Sequence, residues 1–97
     1  MATFGIVHTF PGGTKEQYEA SIKQVHPADG TELPEGQTYH AAGPTGDGWL
    51  VVAFWDSRES WDRFRDEKLM PGLRGLGEAG FPTPPNETSF EVHKERS

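Results

Sequence analysis

The chain predicts an α+β domain of order βαββαβ, in which two helices cover one face of a four-stranded antiparallel sheet. Three observations carry this. Short β-branched and aromatic runs alternate with stretches of helical periodicity. Two of the runs are separated only by a Pro- and Gly-containing turn, residues 44–48, so they form a hairpin. The run WLVVAFW, residues 49–55, is apolar on both of its alternating sides, as a strand covered on both faces must be.

Each element has its own signal. Residues 3–10 (TFGIVHTF) make a first strand that ends at the tight turn Pro11-Gly12-Gly13. Thr14 opens a helix with Gln17 three residues on, the spacing of a capping box. Tyr18, Ile22 and Val25 recur at i, i+4 and i+7 as one apolar stripe. His26-Pro27 closes the helix, because the residue before proline is pushed out of the α region; a C-terminal capping role is expected for His26. Residues 28–36 have loop chemistry, and residues 37–43 give the second strand. Asp56 or Ser57 caps the next helix, whose buried face begins with Trp61 and Phe64. Pro71 is expected to break or kink that helix near Leu69-Met70. Leu73 and Leu76 continue the apolar face through a second short helix that ends at residues 77–80. Residues 81–86 read as an extended connector, and residues 88–94 as the last strand. The order is the split βαβ, ferredoxin-like arrangement.

Ninety-seven residues suit a single domain, residues 1–97. The net charge is −6, and both halves of the chain are acidic, so nucleic acid is not an expected partner. No apolar stretch approaches the ~20 residues needed to cross a bilayer, so no membrane association is expected. The absence of cysteine excludes disulfides, thiol catalysis and thiolate metal sites. A cytoplasmic location is expected, since the N-terminus has no signal-peptide pattern.

The third strand offers Trp49, Val51, Ala53 and Trp55 on one side and Leu50, Val52 and Phe54 on the other. Helices can cover only one of these sides. The other is expected to meet a second copy of the chain, giving a homodimer in which two sheets enclose a barrel.

Residues 3–10 followed by Gly13-Thr14, and then WDSRESWDRF (residues 55–64), resemble the dimeric α/β-barrel superfamily. The nearest branch is the antibiotic-biosynthesis-monooxygenase-like proteins. The resemblance implies small-molecule chemistry: cofactor-free oxygenation of aromatic polyketides, heme degradation, cyclisation or isomerisation. The Asn and Trp that oxygenases and heme degraders of this group use align with Ile6 and Phe64, and the heme-ligating His aligns near Arg74. The resemblance therefore marks Ile6, Phe64 and Arg74 as positions beside a substrate, with Phe4 on the same side of the strand.

Histidine is the side chain that most readily moves protons near neutral pH. His8 alternates with Phe4, Ile6 and Phe10, and shares with Ile6 the side expected to face the barrel. His40 lies on the second strand, opposite Val52 if the hairpin pairs residues whose numbers sum to about 92. With one strand between them, His8 and His40 stand about 10 Å apart, room for a small molecule but not for a shared metal ion. No metal and no cofactor are expected. The reading is a cofactor-independent enzyme acting on an apolar or aromatic, polyketide-like molecule, with His8 and His40 as catalytic residues. Phe4, Ile6, Phe64 and Arg74 are its substrate-binding residues. The alternative is a non-catalytic ligand-binding or structural dimer.

Overall fold

The structure is a computed structural model that describes residues 2–81 and 84–96, so the expected connector lies partly outside the described residues. The elements are β1 (Phe4–Pro11), α1 (Lys15–Val25), β2 (Gln37–Pro44), β3 (Gly48–Trp55), α2 (Arg58–Phe64), α3 (Met70–Leu76) and β4 (Asn86–Glu91). The sheet runs β2-β3-β1-β4 and every neighbouring pair is antiparallel.

Local chemistry accounts for the boundaries. Thr14 caps α1: its Oγ1 accepts from the Gln17 N–H at 3.2 Å, while Gln17 Oε1 accepts from the Thr14 N–H at 3.0 Å. Ser57, not Asp56, caps α2, its Oγ accepting from the Ser60 N–H at 3.1 Å. The expected interruption near Leu69-Met70, with a second short helix after it, is present, but its form is a π-helical turn rather than a break at Pro71. This wide turn over Arg65–Leu69 joins α2 to α3, and Pro71 falls at the start of α3, where its missing N–H is harmless. The last strand begins two residues earlier than expected and ends at Glu91, because Asn86 already pairs with Thr9 of β1.

The core lies between the helices and one face of the sheet. Phe4, Ile6, Ala53 and Trp55 from the strands meet Val25, Trp61 and Phe64 from the helices, and Leu69 packs against this cluster. Trp55 is fully buried and sits at the centre, within 5.7 Å of the Trp61 ring and 5.2 Å of the Phe64 ring. This helix-covered surface is the inner face.

Antiparallel pairing puts Val7, Leu50, Val52, Phe54, Tyr39 and Phe90 on the outer face. Tyr39 and Phe90 are 52 % and 44 % exposed there. Gly5 opposes Phe90, and the Phe90 ring lies where a Cβ on Gly5 would stand, so a larger residue there would displace the ring.

Candidate functional site

Strand register decides which side chains meet. The β2–β3 hairpin pairs His40 with Ala53 rather than Val52, because residues 45–48 form the turn and Pro44 pairs with Trp49. That one-residue difference carries His40 to the inner face, the face shared by Ala53, Val51 and His8. An irregularity between Gln37 and Tyr39 then returns Gln37 to the same side, opposite Trp55.

The expected position of His8 and His40 inside a two-subunit barrel is therefore corrected. Both face the helices of their own chain. The cause is the alternation that was used to group them: Phe4, Ile6 and His8 are in register with Trp55, Ala53 and Val51, whose surface α1 and α2 bury.

Between helices and sheet lies a cavity of about 110 Å³, lined among others by Ile6, His8, Tyr18, His40, Trp61 and Phe64. A dry apolar cavity of about 150 Å³ is known to hold benzene, so this smaller one, which opens to solvent, suits at most one ring with the rest of a ligand outside it. Four of the six expected site residues line it. Phe4 does not; it belongs to the core, with the Arg58 guanidinium 5.8 Å from its ring centre. Arg74 does not either: it is exposed, and Leu73 beside it supplies that helix's contribution to the wall.

Two polar pairs interrupt the apolar wall. His8 Nε2 lies 2.9 Å from Oε1 of Glu87, its direct partner across the β1–β4 ladder, and the His8 ring stands 5.5 Å from the Trp61 ring. On the other side, Tyr18 Oη lies 2.6 Å from His40 Nε2. His40 Nδ1 is buried without a partner among the described residues, as is Gln37 Oε1. Burial holds the His40 imidazole below its ordinary pKa. Burial, with a smaller contribution from Glu19, pushes the Tyr18 phenol above its own. Both groups are neutral at pH 7.

His26 does more than cap a helix. It is buried, edge-on to the His40 ring at 4.9 Å and to the Phe64 ring at 5.9 Å. Desolvation lowers its pKa to about 4, with help from the neighbouring His40 and against a hydrogen bond to the Glu32 backbone. A second, outer cleft of about 420 Å³ shares Val25, His26 and Phe64 with the cavity, so these three side chains form the partition between the two.

Sequence reading missed Tyr18, His26, Gln37 and Glu87. Tyr18 left a signal: a tyrosine in the apolar stripe of a helix must find a partner for its hydroxyl when it is buried. Glu87 left none, since only the β1–β4 register brings it to His8.

Among the described residues, no group of three His, Asp or Glu side chains is arranged to hold a metal ion, and no helix is long and apolar enough to cross a membrane.

No protein-family model matches the chain, and no curated protein matches it in sequence. Solved structures do match in fold. A protein of unknown function from Nitrosomonas europaea superposes with a TM-score of 0.69 at 14 % identity, covering 100 % of this chain and 95 % of that one. A monooxygenase from Streptomyces coelicolor, in complex with nanaomycin D, gives 0.64 at 20 % identity, covering 99 % and 92 %. The protein Rv0793 from Mycobacterium tuberculosis gives 0.65 at 16 % identity over the whole of both chains. The fold is thus a ferredoxin-like α+β fold, shared with these solved structures.

Proposed function

We propose that this chain is a cofactor-independent enzyme of the monooxygenase-like type, acting on an apolar or aromatic, polyketide-like molecule that presents about one ring to the cavity. His8 is the general base. The observation that carries this reading is the contact between His8, which lines the largely apolar cavity, and the exposed carboxylate of Glu87. Glu87 accepts the Nε2–H of His8, which leaves the Nδ1 lone pair to take a proton, and the carboxylate then stabilises the imidazolium. The apolar surroundings, with Ile6 and Phe64 at the wall, align the substrate and exclude water. The resulting phenolate or enolate is the common starting point for reaction with O2, for cyclisation and for isomerisation. The fold shared with the Streptomyces monooxygenase supports the first of these.

The chain works as a homodimer in this reading. The outer face is apolar at its centre, over Val7, Leu50, Val52 and Phe54 with Phe90 beside them, and such a patch suits an interface. Phe4 acts through the core rather than on substrate, and Arg74 serves at most at the outside of the helix.

The test is turnover of a panel of phenols and enolisable polyketides by wild type, His8→Ala and Glu87→Gln. Loss of about 10²–10⁴-fold in His8→Ala is the expected size for a removed general base. Equal turnover in all three proteins removes His8 from the chemistry.

A non-catalytic ligand-binding dimer is favoured by one feature: apolar Ile6 and Phe64 stand where the resemblance calls for Asn and Trp. Ligand binding that survives in the absence of any turnover across the panel identifies that alternative.

A further inference from the structure

The contact between Tyr18 and His40 admits two proton arrangements. In one, the Tyr18 hydroxyl donates to Nε2, and the imidazole proton resides on Nδ1. In the other, the Nε2–H donates to Tyr18 Oη, and Nδ1 is a bare lone pair. The environment distinguishes them, because Nδ1 is buried and has no partner among the described residues. A buried N–H with nothing to bond is rarer in proteins than an acceptor left short of donors. Once a ligand oxygen in the cavity accepts the Tyr18 O–H, the second arrangement leaves only the Nδ1 lone pair unpaired, which is the smaller deficit. It also frees the hydrogen of the Tyr18 hydroxyl to point away from His40, and Tyr18 lines the cavity.

We propose that Tyr18 is a further catalytic residue, donating its hydroxyl hydrogen to an oxygen of the substrate, with His40 as the residue that positions it. Rather than serving as a second base, His40 holds the Tyr18 oxygen from behind. Two β2–β3–β1 strand spacings of ~4.8 Å separate the His8 and His40 positions, about 10 Å across the cavity floor. Two sites at that separation select a particular class: a ring-sized phenol or enolisable ketone whose acidic hydrogen and oxygen lie at opposite ends of one conjugated system. The assignment rests on His8 acting as the base. The C–H or O–H bond breaks, its proton goes to His8 Nδ1, and its electron pair moves through the π system to the far oxygen. The Tyr18 O–H stabilises the negative charge there, as a fixed donor aimed at developing charge does. No oxidant is needed for this step. Burial keeps the Tyr18 phenol protonated, as a donor must be.

The experiment compares two probes of similar size, 4-nitrophenol, whose phenolate absorbs separately from its phenol, and 4-nitrotoluene, which cannot ionise. Binding of each is measured for wild type, Tyr18→Phe, His40→Gln and His40→Phe. Tyr18→Phe is expected to weaken the phenolate by about tenfold or more, the size of a lost hydrogen bond to a charged group, and to change 4-nitrotoluene by less than twofold. His40→Gln, whose amide N–H reaches the place of Nε2–H, should retain most phenolate affinity, and His40→Phe should lose it. Equal effects of Tyr18→Phe on both probes, or none on either, overturn the donor role. Phenolate affinity undiminished in His40→Phe overturns the positioning role, and this arm stands even if Tyr18→Phe does not fold. Failure of 4-nitrotoluene to bind wild type overturns the binding-cavity reading itself, and this proposal with it.

Discussion

The two faces of the sheet are both apolar, yet they differ in what interrupts the apolar surface. On the inner face Ile6, Ala53 and Trp55 are joined by His8, His40 and Gln37, and the two histidines are held by Glu87 and Tyr18 from neighbouring elements. On the outer face Val7, Leu50, Val52 and Phe54 run together with no titratable side chain between them, and Tyr39 and Phe90 lie open at the margins. Polar groups inside an apolar wall are expensive to keep, which is why the proposed chemistry is assigned to that face. Their absence marks a surface suited to another apolar surface. In the proposed reading, the comparison separates a site for small molecules from a site for a second subunit, and one strand, β3, supplies both.

The most damaging way to break the comparison is at the centre of the inner face. Trp55→Ala removes a fully buried ring and should destabilise the fold by about 3–5 kcal/mol, read from the midpoint of urea unfolding. Phe54→Asp, one residue away but on the outer face, should leave the chain folded and convert the proposed dimer to a monomer in sedimentation. If Phe54→Asp unfolds the protein and Trp55→Ala does not, the faces have been assigned the wrong way round.

The inner face should also be the one sensitive to acid. The folded-state pKa values of His26 and His40 are depressed, so the unfolded chain binds more protons than the folded one between pH 6.5 and about 4. Stability is therefore fully present above about pH 6.5 and is lost as the pH falls toward 4. His26→Gln should flatten that part of a Tm-against-pH curve, and an unchanged curve would contradict the burial of His26. The smallest effect belongs to the exposed start of α1, one of the helices that cover the inner face. Thr14→Ala deletes the cap of α1 and should lower stability by about 1 kcal/mol with no change in oligomeric state.

The sequence disclosed the fold almost entirely, because each element announces itself locally: a capping box at Thr14, a Gly-bounded hairpin turn, and an apolar run too long on both sides to be exposed. It disclosed the site only in part. His8 and His40 were recognisable as residue types, but the face occupied by His40 depends on a single step of hairpin register that no local pattern records. Glu87 reaches His8 across a pairing of chain segments 79 residues apart, and periodicity within a segment carries no information about that. The π-helical turn before Pro71 was hidden for a related reason, since proline predicts a disturbance but not how a helix accommodates it.

Ligand binding by the isolated protomer is the decisive measurement. Phe54→Asp, expected to be a monomer, is titrated with 4-nitrotoluene while tryptophan fluorescence is followed, alongside the wild-type protein. A binding site enclosed by one chain's own helices and sheet predicts the same dissociation constant within about twofold for both proteins. Binding that vanishes when the subunits separate would place the site between them, and contradict the account.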